Sequence, residues 1–259
     1  MSETPCSWIC YVINLDRSPH RLQSITQQMA QAGMPFERFP GIDGRLMGTR
    51  AQEWIDLPVY KKLHGKEPTP GEIGCYASHI SLMQAFLAGP HTHCMVLEDD
   101  ALVPDNIRSV VDELVAVQDK WDMVLLFGNH FALPVVTATL SGGRELVGYF
   151  GKQTGAVAYM LNRKTAQAYV DHLVPMRLPL DHAFGLVWRL GIRMRGVRPS
   201  VIRYGDFQSE IGISGRKFPW YQRLGTYWAR LSMDVRRFVH HLLRDPIWLE
   251  ALLRRWRGR

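Results

Sequence analysis

The 259-residue sequence predicts an α/β domain followed by a basic helical extension, and three observations carry that expectation. Short runs rich in β-branched and aromatic residues alternate with longer segments whose apolar residues recur every three or four positions. That alternation is the pattern of strands and helices layered on one sheet. Three consecutive carboxylates, Glu98, Asp99 and Asp100, follow the apolar run 94–97. Finally, residues 217–259 hold ten Lys/Arg against three acids, whereas residues 1–216 hold 21 of each sign. The high isoelectric point therefore belongs to the tail, which argues against a nucleic-acid-binding face on the domain.

In chain order, residues 8–15 (WICYVINL) read as a central first strand. Ser18-Pro19 then starts a helix that Gly33 stops. The strand–turn–helix is Rossmann-like but lacks a G-x-G-x-x-G turn, so an ordinary dinucleotide site is not supported. Arg17 and Arg21 stand four apart at that helix entrance. They either meet a phosphate together with the helix amides or are solvated helix residues. Residues 36–40 read as a short second strand, and 41–44 as a turn whose Asp43 can face the same crevice. Residues 45–70 read as a loop with short helical pieces.

Thr69-Pro70-Gly71-Glu72 starts a long apolar helix carrying the polar residues Glu72, Ser78 and His79. His79 is open to two readings, a satisfied core histidine or a ligand. Beyond the acidic triplet, a helix is expected over 105–118 and a strand over 121–128. A hairpin or loop turning at Ser141-Gly142-Gly143 and a strand over 154–161 follow, and then a helix capped by Asn162. Asp181 begins the next helix, where it is an N-cap or something more. A last strand is expected near 198–204, leading to Glu210.

The acidic triplet needs a reason. Adjacent carboxylates disfavour one another's ionisation, and a hard divalent cation such as Mg²⁺ or Mn²⁺ relieves the repulsion. Strand alternation predicts Glu98 and Asp100 on one side and Asp99 on the other. The bland alternative is an acidic turn before the next helix. Carboxylates at a strand end beside phosphate-binding groups imply work on a pyrophosphate-bearing substrate.

Several stretches together resemble glycosyltransferase family 25. They are YVINLDRSPHRL (11–22), FERFPGIDG (36–44), GEIGCYASHISL (71–82), MVLEDD (95–100), TGAVAYMLNRKTA (154–166) and PLD (179–181), and they come in the family's order. The resemblance implies a GT-A-type nucleotide-sugar-binding domain over residues 1–216. It also implies an inverting transfer of a hexose, typically galactose from UDP-galactose, with Mn²⁺ or Mg²⁺ as cofactor. On these motifs Glu98 and Asp100 are expected as metal ligands. Asn14, Asp16, Arg17, Arg21, Asp43, Glu72, His79, Asp99, Thr154 and Gly155 are expected around the donor. Asp181 is expected as the catalytic base, with Glu210 as second choice. The expected acceptor is a saccharide of lipooligosaccharide or lipopolysaccharide. A non-catalytic, sugar- or membrane-binding module is the alternative.

The tail 217–259 lies outside the resemblance. Trp220, Leu224, Trp228, Leu231, Val235, Phe238 and Leu242 recur at helical spacing, with arginines mainly on other faces. The expectation is an interfacial helix on an anionic membrane surface. The alternative is a helix pair docked on the domain with its arginines solvated. No run of 18 apolar residues exists, the N-terminus lacks a secretory pattern, and four scattered cysteines suggest no disulfide framework. The expected place is cytoplasmic, peripheral on the inner face of the cytoplasmic membrane, with no nucleic-acid partner.

Overall fold

A computed structural model describes residues 7–128, 133–205 and 215–257. Its elements are β1 (Trp8–Asn14), α1 (Pro19–Gln31), β2 (Glu37–Pro40), α2 (Ala51–Trp54), α3 (Leu57–His64), α4 (Pro70–Ala88), β3 (His93–Glu98), β4 (Ala101–Leu102) and α5 (Ile107–Ala116). They continue with β5 (Met123–Leu125), β6 (Pro134–Thr139), β7 (Glu145–Tyr149), β8 (Ala158–Asn162), α6 (Arg163–His172), α7 (Leu180–Phe184), α8 (Val187–Leu190), β9 (Met194–Arg198), β10 (Arg203–Tyr204), α9 (Leu224–Leu243) and α10 (Ile247–Arg257).

Eight strands form one sheet in the order β2-β1-β3-β8-β5-β9-β7-β6. Six run one way, while β7 and β8 run the other. β3, at the centre, is apolar at every position from Cys94 to Leu97 because both of its faces are covered. Cys94 and Val96 join the core under α4 and α6, with Tyr76, Ile80, Phe86 and Tyr159. Met95 and Leu97 join the opposite core under α1 and α5, with Ile25, Met29, Val111 and Leu114. This parity decides where the first two carboxylates go.

Local signals work where they are strong. Thr69 and Glu72 close a reciprocal capping box at the start of α4. Asn162 Oδ1 accepts from Thr165 N–H at 2.9 Å to start α6. Ser18 precedes Pro19 at the start of α1 without a side-chain cap bond. The 134–149 segment is a hairpin, β6 against β7.

Four expectations need correction. The strand expected over 121–128 spans only Met123–Leu125. The last sheet strand is Met194–Arg198, earlier than the expected 198–204, where only the two-residue β10 pairs with β4. The strand expected over 154–161 begins at Ala158. The helix expected to begin at Asp181 starts at Leu180 and ends before Gly185, with α8 following as a separate short helix.

The C-terminal helices dock with their polar face inward. On α9, Thr226, Arg237, His240 and His241 are buried, whereas Trp228 and Leu231 are 74% and 54% exposed. Thr226 Oγ1 donates to Lys62 O at 2.8 Å and Arg230 to His64 O at 3.0 Å, tying α9 to α3. Arg195 on β9 is fully buried and donates twice to Asp245, each bond 2.7 Å, between α9 and α10. Among the described residues no helix is long and apolar enough to cross a membrane.

Candidate active site

Glu98 keeps the parity of Cys94 and Val96 and turns toward α4. Its Oε1 lies 3.2 Å from His79 Nε2 and 3.8 Å from Cys75 Sγ. His79 is 1% exposed, and its other nitrogen meets the Tyr159 hydroxyl at 2.7 Å. Cys75, His79 and Glu98 are close enough for a metal, but burial, then the Glu98 charge, push the Cys75 thiol well above its ordinary pKa. Without a metal the thiol keeps its proton and points it at the Glu98 carboxylate. The trio is better described as a brace that orients Glu98.

Asp99 turns the other way, as the parity of Met95 and Leu97 requires. It accepts from Asn14 Nδ2 at 2.6 Å and from Arg21 at 3.1 Å. Asp100 lies beyond the end of β3, so alternation no longer governs it. It too approaches Arg21, at 3.6 Å, rather than siding with Glu98 as expected. Its Oδ1 is buried with no hydrogen-bond partner. Burial, then the Glu98 charge, with Asp99 adding and Arg21 opposing, push its carboxyl up to about 7. An orphaned carboxylate oxygen next to two further carboxylates is a donor set that suits a hard divalent cation.

Around this strand end lies a crevice walled by Ile13, Leu15, the 41–44 turn, Gly71, Ser78 and His79. Ser78 on α4 holds the turn by accepting from Ile42 N–H at 2.7 Å. The turn approaches α4 so closely that a Cβ on Gly74 would fall 2.5 Å from both Gly44 N and Ile42 O. Arg17 reaches across the mouth and donates to Asp43 at 2.6 Å.

Asp181 sits in the first turn of α7 and accepts from His182 N–H at 2.8 Å. Pro179, not Asp181, occupies the N-cap position. Burial raises its pKa; the nearby Lys152 charge opposes this and Glu98 adds to the rise. The Glu98 charge thus reaches Asp181, although Asp181 is not among the residues that wall the crevice. Lys152 Nζ lies 2.6 Å from His182 Nε2.

The structure thus brings together Asn14, Arg17, Arg21, Asp43, His79, Glu98, Asp99, Asp100 and Asp181. One of these, Arg21, and several other expected donor-site residues have roles different from those expected. Arg21 is 4% exposed and serves as counter-ion to the carboxylates, because its position on α1 faces the sheet. The Glu72 carboxylate is engaged by the cap, accepting from Thr69 N–H at 2.7 Å. Asp16 stands on the rim in an ion pair with Arg38. Gly155 makes a tight bend, φ +131°, against Phe127 O at the end of β5, and Thr154 precedes it. Glu210 lies outside the described residues. Missed by sequence reasoning were Lys152 and Tyr204. Tyr204 packs its ring on Phe127 at 5.6 Å, and burial, then Asp100 and Glu98, raise its phenol pKa. Neither carries a local pattern that would single it out.

A crevice beyond the carboxyl end of an interior strand, walled by a turn and a helix entrance, is where open α/β sheets bind their ligands. Residues 9–184, more than half of the chain, match the family described as Glycosyltransferase family 25 (LPS biosynthesis protein), and the chain belongs to that family. A glycosyltransferase 25 family member of Aedes aegypti is 36% identical over 44% of this chain and 20% of its own length. A Haemophilus influenzae protein described as a glycosyltransferase is 27% identical over 67% of this chain and 60% of its own. The mouse protein named inactive glycosyltransferase 25 family member 3 is 28% identical over 81% and 39%. The chain therefore spans less than two thirds of the length of each of these relatives.

Proposed function

We propose that this chain is a metal-dependent, inverting glycosyltransferase of GT-A type that moves a hexose, galactose from UDP-galactose, onto a saccharide of lipooligosaccharide or lipopolysaccharide. The observation that carries the proposal is the orphaned, buried oxygen of Asp100 just past the end of the strand that carries Glu98, with Asp181 within electrostatic reach of Glu98. The family description, which names lipopolysaccharide biosynthesis, supports the acceptor class.

In this scheme Glu98 and Asp100 hold Mn²⁺ or Mg²⁺, whose chemistry is to neutralise the departing diphosphate. The His79 and Cys75 contacts keep Glu98 aimed, and Arg21 with Asn14 fixes Asp99. Arg17 and Asp43 close the nucleoside end. Asp181 takes the proton of the acceptor hydroxyl as its oxygen bonds to the anomeric carbon. The electron pair of the breaking carbon–oxygen bond leaves with the diphosphate. A carboxylate with a raised pKa is the better base for that task. Asp181→Asn is expected to lower transfer by about 10²–10⁴-fold and to leave UDP affinity within a factor of about 3. An equal loss of UDP binding, measured by calorimetry, would contradict the assignment.

A non-catalytic module is the second reading, and one observation favours it: three-quarters or more of this chain aligns with rodent relatives named inactive. The intact set Glu98, Asp99, Asp100 and Asp181 favours the enzyme.

The α9–α10 surface is proposed as a lipid contact that holds the protein on the inner face of the cytoplasmic membrane. Among the described residues, sixteen of the twenty-two exposed large hydrophobic residues lie between Trp220 and Trp256, among arginines that complement anionic headgroups. Co-sedimentation with phosphatidylglycerol vesicles is expected, weakened about tenfold or more in Trp228→Asp/Leu231→Asp. Equal binding by that variant, or a dimer burying the same face, would sink the proposal.

A further inference from the structure

Close to Asp181 lies a cluster of basic side chains that the reaction above does not use. Lys152 sits between β7 and β8, half-buried, with its ammonium on the His182 imidazole. The His182 ring meets the His64 ring edge-on, centroids 5.3 Å apart, and Arg230 of α9 donates to the His64 carbonyl. His64 is 7% exposed and its Nδ1 has no hydrogen-bond partner. Among the described residues, neither Lys152 nor Arg230 makes an ion pair with a carboxylate; Asp234, the nearest acid on α9, is taken by Arg237 at 2.6 Å. Burial, followed by the charges of His182, Lys66, Arg230 and Lys152, pushes His64 down to about 3. Burial, then Lys152, Arg230, Arg237 and Lys66, does the same to His182. Lys152 itself is lowered to about 8, by burial first and by Arg230 and Arg237 after the opposing Asp181. Both histidines are therefore uncharged at neutral pH, Lys152 has Asp181 as its first charged neighbour, and the buried His64 Nδ1 is left as an open hydrogen-bonding position beside the lysine and the arginine.

We infer that Lys152, His182, His64 and Arg230 form a second anion subsite, separate from the donor's diphosphate site, which receives a phosphate or carboxylate borne by the acceptor. The subsite adjoins Asp181, where the acceptor hydroxyl must lie, so an oxyanion here would orient the acceptor toward the base. Arg230 also lies on α9, which carries the exposed apolar residues, so the subsite adjoins the proposed lipid contact. The acceptor class that fits both features is an anionic saccharide on a lipid carrier. The inference rests on the glycosyltransferase reading for the identity of the ligand's owner.

The test uses the full chain saturated with UDP and Mg²⁺, so that the donor site is filled, and titrates glycerol 3-phosphate against the histidine ring signals in NMR. Saturable binding that moves His64 and His182 toward ordinary histidine pKa values is expected. Affinity should fall about tenfold or more in Lys152→Met and Arg230→Met. Lys152→Arg should restore it, which separates loss of charge from misfolding. No binding, binding that both Met variants retain, or shifts produced only by phosphatidylglycerol vesicles would each overturn the acceptor subsite, the last by assigning the anion to a lipid headgroup. UDP binding by the same samples reports independently on the donor reading. If UDP fails to bind but glycerol 3-phosphate still does so in a Lys152-dependent manner, the donor reading falls and the anion subsite stands.

Discussion

Asp100→Asn is expected to reduce sugar transfer by about 10²–10³-fold or more, the scale on which loss of one charge-stabilising group slows group transfer. Its stability should not fall. The native carboxylate is buried, shares Arg21 with Asp99, and has an oxygen without a partner. Burying an uncompensated charge costs stability, so a neutral isostere should leave Tm unchanged or higher in the absence of metal. Arg21 keeps its bond to Asp99 in the variant. A loss of Tm in step with the loss of activity would return Asp100 to a structural role. The paired measurements are a UDP-release rate and a thermal melt without divalent ions.

Arg195→Met should give the largest loss of stability. The side chain is fully buried, donates to both oxygens of Asp245, and reaches Glu250 at 3.3 Å. Removing it strands a carboxylate that is 2% exposed, at a cost of about 3–5 kcal/mol. For a chain of this length that corresponds to a Tm drop of roughly 6–20 °C. Arg195→Met/Asp245→Leu should recover much of it, because an apolar pair leaves no buried charge. The pH dependence follows from the same pair. Burial raises the Asp245 carboxyl, but the bonds and charges of Arg195 and His241 outweigh it and hold it well below the usual carboxylate range. Its stabilisation is therefore complete above about pH 4, the ordinary aspartate value, and declines as pH falls below that. Wild type should lose stability faster than the double variant on acidification below pH 4. Parallel acid titrations of the two would contradict the pair's role.

Elements announced by neighbouring residues were legible in the sequence. Ser18-Pro19, the Thr69–Glu72 box, Asn162 and the Ser141–Gly143 turn each act within a few residues of themselves, and the elements they predict are present. β9 was not legible, because Arg195 makes it look polar. Its partner Asp245 is fifty positions away, and only the fold shows that the charge is neutralised. The same holds for α9. Its periodicity was plain, but which face docks depends on Thr226 and Arg230 finding carbonyls on α3 and its end. In the site, the direction of Glu98 and Asp99 followed from the two-residue repeat of β3. Asp100 escaped that repeat because the strand ends before it. Glu72 shows the converse, since a motif position that reads as donor-binding also satisfies a capping box. Lys152 and Tyr204 belong to no local pattern; they matter only through what the sheet brings beside them.

The central claim is a carboxylate site that uses a divalent cation to transfer a sugar from a nucleotide. Release of UDP from a panel of UDP-sugars, with and without Mn²⁺ and a lipid-linked saccharide extract, tests it most directly. The account predicts release from UDP-galactose that requires the metal, rises with the extract, and disappears in Asp100→Asn. Release that is indifferent to metal, or metal-dependent binding of every donor with no turnover even with extract present, would contradict it; the second result would establish the binding module instead.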